Sequence, residues 1–341
     1  MEASTTPNVP VLRASTDCLP SGKGLSLGGM RTGIGILMLA STFGQETATY
    51  QSSTVDVNGR VIEGPQITTN TTQTGSVRTE RVQSINGRKV PLEQVTERVI
   101  RDGAMRVVER TLQRFDQEGR PAATQITVIE QESGPAGHSM VHSTTSQRDI
   151  NGNLQILERS LSVTQKTGAT ETSETSIERP TINGSMEPVE KRSVSKIGSA
   201  DAVQETSTIY RLGANGFYQA GRVVSEKQKH AGTTTEQVAE YEIGSTGTLA
   251  LHSQTARRTT KHSDGSETEI VDIFGKSGPG TIGSEGAPLT LQERESVERL
   301  IGADGSVRET LRVQRPTVSD PNVLSPPRVV SDTTCRGKCH Q

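Results

Sequence analysis

The residues able to do chemistry in this chain are few and poorly grouped. Near its end "CRGKCH" brings Cys335, Cys339 and His340 together. A structural zinc site takes four protein ligands, which this group alone does not supply. In an oxidising compartment a small Cys335–Cys339 disulfide is the expected use of the pair. "HSMVH" sets His138 and His142 four residues apart, a metal-binding spacing on a helix. On a strand that spacing stretches to about 13 Å, too far for one ion. "GPGTIG", residues 278–283, matches the glycine pattern of a dinucleotide loop and follows "EIVDIF". Gly286 and Pro288 then prolong the loop where a helix has to open, and no βαβ unit precedes it. "GKS" at 275–277 is no phosphate loop either, since Ile270 stands where the leading glycine belongs. Acidic residues are spread evenly, so none is singled out as a general acid or base. The expectation is a chain without catalytic residues, metal ligands or a cofactor.

The elements around these residues are announced by a repeated turn. "INGR", "QEGR", "INGN", "INGS" and "ANGF" carry Gly87, Gly119, Gly152, Gly184 and Gly216, at successive gaps of 32, 33, 32 and 32. A second set, Gly103, Gly134 or Gly137, Gly168, Gly198 and Gly232, falls between them. The beat is therefore a turn about every 16 residues inside a repeat of about 32. Asn-Gly and Asp-Gly pairs suit two-residue hairpin turns, whose central residues both take positive φ. Glu often stands six residues past the turn glycine, as at Glu93, Glu109, Glu158, Glu174 and Glu190. Turn and following strand are copied as one unit.

"PLEQVTERVIRDGAMRVVERTLQRF" at 91–115 holds good helix formers, but the same register elsewhere reads "LSVTQKTGATETSETSIER", which suits strands. Copies of one repeat share one conformation, so strands are expected throughout, with residues 289–315 keeping a helical option. Glu-Arg recurs at 80–81, 97–98, 109–110, 158–159, 178–179 and 298–299. Neighbouring strand residues point to opposite faces, so each face receives one sign from each pair, ready for the opposite sign on the next strand. Apolar alternation is poor around Leu154, Ile156, Leu157, Leu161 and Val163, which hints at a bulge or shallow burial on both faces. Register in such a sheet must come from its turns.

Composition agrees with a thin core. Trp is absent, Phe and Tyr number 4 each, and 37 basic residues nearly cancel 39 acidic ones. The balance argues against an electrostatic nucleic-acid binder. Residues 30–45, "MRTGIGILMLASTFGQ", have the layout of a secretory signal peptide, too short in its apolar run to span a bilayer. Residues 1–29 read as a disordered or mis-assigned extension, 46–273 as the repeat, 274–288 as a Gly-rich loop, and 316–341 as a Pro-rich tail with the cysteine pair.

The fold expected is all-β, an elongated antiparallel β-meander of long strands, polar on both sides. The function expected is that of a non-catalytic, exported structural or interaction module of the envelope or the extracellular space. Alternatives are a periplasmic carrier holding lipid or polysaccharide in a curled sheet, and a hydrolase of unknown specificity. Partners expected are envelope proteins or polysaccharide, with self-association through exposed sheet edges; nucleic acid and a transmembrane span of the mature chain are not expected.

Overall fold

The computed structural model describes residues 46–337, apart from 56–59, 73–74, 86–87, 150, 245, 277–287, 318 and 321. The expected signal segment and the extension before it, the GPGTIG loop and Cys339 lie outside the described residues. The first nine strands are β1 (Glu46–Val55), β2 (Val61–Thr71), β3 (Val77–Ile85), β4 (Arg88–Arg101), β5 (Met105–Phe115), β6 (Pro121–Ser133), β7 (His138–Arg148), β8 (Leu154–Thr167) and β9 (Thr170–Pro180). Nine more follow: β10 (Met186–Gly198), β11 (Ala202–Gly213), β12 (Gly216–His230), β13 (Thr233–Ile243), β14 (Leu249–Lys261), β15 (Glu267–Gly275), β16 (Thr290–Ile301), β17 (Val307–Gln314) and β18 (Arg328–Gly337). The strand-per-sixteen beat is the strand order itself, and residues 289–315, where a helix remained open, form β16 and β17.

Each strand pairs antiparallel with its sequence neighbours, and β1 pairs with β18 as well as β2, closing an 18-stranded barrel. The expected antiparallel meander is present, but it closes on itself where an elongated sheet was expected. The stretch 316–341, expected as a tail, supplies the closing strand β18. No strand edge is left among the described residues, so the basis for edge-to-edge self-association disappears.

A repeated bulge accounts for the curvature. Every even strand from β4 onward carries one residue without a ladder partner near its start: Leu92, Ala122, Leu157, Val189, Ala220, His252, Gln292 and Val330. Each extra residue bends its strand and increases the local twist. A ring of them at one level coils the sheet until its two outer strands meet. Leu157, where the apolar alternation failed, is one of these residues.

The turns differ from expectation in type. At Thr72, Asp116, Asp149, Thr181, Gly244, His262 and Gly302 the amide bonds to the carbonyl four residues on, and the amide three residues on bonds back. That is a three-residue loop closed by a glycine at positive φ, as at Gly152 (φ 83) and Gly184 (φ 80). Asn151 and Asn183 keep negative φ, because this loop asks only its glycine to be left-handed. Ala231 (φ 44), followed by Gly232 (φ 80), forms the two-residue turn with both residues at positive φ.

Side chains alternate between two faces. Ala48, Tyr50, Val77, Val90, Ile177, Val271 and Cys335 are buried, and direct cross-strand pairing places all of them on one face. Ile197, Ile270 and Leu300 on the other face are exposed. In a closed sheet the crowded face is the concave one, so the first set points inward. Ala48, Tyr50 and Cys335, with Ile67 and Val307 against them, form a small hydrophobic cluster at the β1–β18 seam. No described side chain is fully buried, and strand contacts run almost wholly between ring neighbours. Among the described residues the wall has two surfaces and no filled core.

Candidate functional site: the barrel lumen

Strands about 4.8 Å apart and tilted about 40° close an eighteen-membered ring about 35 Å across between facing backbones. Barrels of about this size leave an aqueous space inside. The lining here is hydrophilic. Glu93 lies opposite Arg114 (3.7 Å), Glu158 pairs with Arg179 (3.0 Å) and Glu190 with Arg211 (3.9 Å), while Arg315, just past β17, reaches Glu293 (2.7 Å). Each of these glutamates stands just past a bulge residue, at the same level of the barrel. The bulge turns the carboxylate inward and the facing arginine meets it, so a belt of ion pairs runs around part of the lumen. Glu93, Glu158 and Glu190 were legible in sequence as a recurrent offset from the turn; Glu109 and Glu174, at the same offset, fall on odd strands and face outward.

Hydroxyl groups fill much of the rest. Thr69 and Thr79 share a hydrogen bond (3.2 Å), as do Thr127 and Thr145 (3.1 Å). On β8 and β9, Ser162 and Ser173 are 3.1 Å apart, with Thr164 donating to Ser173 and Thr175 donating to Ser162, both at 3.0 Å. Two inward carboxyls are perturbed. Burial raises the pKa of Glu97 against the opposing pull of Arg110, 3.3 Å away. Burial also raises that of Glu205, Lys196 opposing and Glu236 and Glu171 adding. Glu171 and Glu236 stand two strands away on either side of Glu205, a convergence that belongs to a concave face.

The expected chemical residues do not assemble here. His138 and His142 lie on β7, opposite Gln165 and Leu161 and on the outward face. No group of three metal-binding side chains occurs among the described residues. Cys335 is 2 % exposed at the seam; its disulfide with Cys339 stands as a proposal.

The architecture has counterparts among solved structures. Similar chains are the outer membrane protein opdK from Pseudomonas aeruginosa (TM-score 0.49, 10% identity, 85% of this chain and 96% of that one) and a mutant of the Rh. blastica porin (TM-score 0.48, 7% identity, 86% and 98%). A third is Pseudomonas aeruginosa OccK2 (OpdF) in complex with glucuronate, at TM-score 0.46, 9% identity, 85% and 96%. The likeness is one of architecture and carries no argument about activity. The sequence matches no family model and no curated protein.

The outward face decides what surrounds such a barrel. Arg98 bonds Glu109 (2.9 Å), Arg294 holds Asp272 through two bonds (2.6 and 2.8 Å), Arg312 meets Glu298 (3.0 Å), and Arg308 pairs with Asp332. Lys191, Arg159 and Arg258 are exposed on the same face. An Arg or Lys facing lipid costs about 2–4 kcal/mol at the bilayer middle and about 0–1 kcal/mol near its interfaces, so these charges weigh against a lipid-embedded wall. Among the described residues no helix is long and apolar enough to cross a membrane. The outward aromatic residues Phe115, Tyr210, Phe217, Tyr241 and Phe274 gather at one rim, the one opposite the start of β1. Lys191 sits over the Phe217 ring (4.6 Å) and Arg222 over Tyr241 (4.5 Å).

Proposed function

We propose that this chain is an exported, non-catalytic hollow barrel that holds or conducts polar solutes through a water-filled lumen while standing in an aqueous part of the envelope or outside the cell. The observation behind this reading is that both faces of a closed wall are charged, with ion pairs and hydroxyl ladders inside and ion pairs outside. A polar lining disfavours a lipid cargo and suits a hydrogen-bonding one such as polysaccharide. A charged exterior disfavours a lipid-embedded pore, although closure and the rim aromatics favour it as the second reading. Flotation with phospholipid vesicles separates the two. The expected outcome is that the purified chain, without detergent, stays monodisperse in the aqueous fraction. Stable recovery only in vesicles or detergent overturns the reading.

A further inference from the structure

The inward charges are unevenly distributed around the ring. On β3–β5 the inward positions hold Arg81, Arg88, Arg106, Arg110 and Arg114 against Glu93 and Glu97. On β13–β16 they hold Glu236, Glu240, Glu242, Glu267, Glu269, Glu293 and Glu295, with Arg257, Lys261 and Arg299 as the counterweight. Inward positions on β6 and β7 are uncharged, among them Gln125, Thr127, Ser143 and Thr145. Strands nine places apart in an 18-membered ring lie across the lumen from each other, so β4 and β5 face β13 and β14. A cationic wall therefore looks across water at an anionic one.

Range decides what this arrangement can do. At physiological ionic strength a surface charge is screened within about 8 Å, a fraction of a lumen about 35 Å wide between backbones. The two walls do not cancel, and a small ion meets only one of them. An elongated solute with its charges at opposite ends gains from both. Resting on the lumen reading above, we propose that the barrel takes elongated dipolar solutes, peptide-like chains with a cationic and an anionic end, and lays them across its width. The cationic end meets β13–β16 and the anionic end meets β3–β5.

Single cysteines report each wall directly. Val238 stands between Glu236 and Glu240 on the inward face of β13, and Leu112 between Arg110 and Arg114 on that of β5. Val238→Cys and Leu112→Cys chains are treated with cationic and anionic methanethiosulfonate reagents, with the unsubstituted chain as blank. The cationic reagent should react several-fold faster at Val238→Cys, the anionic one several-fold faster at Leu112→Cys, and both ratios should shrink in high salt. The same preference at both sites overturns the proposal and leaves the hollow lumen standing. Cysteines that react only after denaturation overturn the hollow lumen itself. Two peptides of one composition, charges segregated to the ends or alternating, are then dialysed against the full chain. Several-fold tighter retention of the segregated peptide is expected; equal retention, or none, overturns the proposed solute class.

Discussion

At the scale of residues the turns do the specifying. Asp116 and Asp149 each accept backbone amide bonds from residues two and four positions on, and Asp264 and Asp304 accept from Ser266 and Ser306. Hydrogen bonds from the backbone of Arg120 and Glu118 hold the Asp116 carboxyl below its usual range, and the hydroxyl and amide of Ser266 and Ser306 do the same for Asp264 and Asp304. Turn positions were legible because Gly and Asn punctuate the chain; turn type was not, since Asn-Gly serves two loop lengths alike. Ala231 is the place where the turn chemistry and the residue disagree. A left-handed alanine costs about 1–2 kcal/mol that glycine escapes, offset in part by the freer unfolded chain, so Ala231→Gly should raise stability by about 1 kcal/mol in denaturant melts. A lowered midpoint would show the turn to be unstrained. Glu205 offers a test in pH. A carboxyl with a raised folded-state pKa binds its proton more readily folded than unfolded, so its contribution grows as pH falls and is lost as pH rises through the folded value. Asp116, Asp264 and Asp304 run the other way: their contribution is full above the ordinary aspartate range and is lost as pH falls through their lowered folded values. Thermal stability should rise on mild acidification from neutrality and fall in stronger acid, and Glu205→Gln should shrink the first change while sparing the second. An unaltered profile in that variant would refute the role given to burial.

At the scale of elements, cross-strand charge pairing was readable from the Glu-Arg doublets. Glu97 and Arg98 meet Arg110 and Glu109 on opposite faces of the β4–β5 ladder. Pairs with partial access to water, as Arg98 and Glu109 have, contribute about 0–1 kcal/mol, so they favour one register more than they stabilise the fold. The bulges were readable only at Leu157, where apolar residues broke alternation; Ala122 and Gln292 leave no apolar trace because neither the inward nor the outward pattern near them is hydrophobic. β18 was hidden for a related reason. Pro316, Pro321, Pro326 and Pro327 precede it, and proline-rich sequence reads as tail, yet Arg328–Gly337 beyond them is free of proline and pairs on both sides. A chain ending after Arg315 loses β18 and with it Cys335 of the seam cluster. It bares the edges of β1 and β17, and sedimentation should find higher oligomers than for the full chain. An unchanged oligomeric state with an unchanged melting temperature would mean that closure contributes nothing.

At the scale of the whole molecule, closure depends on quantities that no short window of sequence contains. Strand number, tilt and the summed curvature of the bulges have to agree before the outer strands meet. The small aromatic content foretold a thin core, and a single-layered wall is the limit of thinness. Its hollowness followed from the same shortage of apolar area, but an open sheet satisfies that shortage equally well. Parity of the strand count has one practical result. Because Ala48 of β1 lies opposite Gly337 of β18, both described ends of the wall leave from one mouth, and the outward aromatic residues lie at the other. An affinity handle joined beyond either end should anchor every molecule on a sensor chip in the same orientation, presenting the aromatic mouth to the flow.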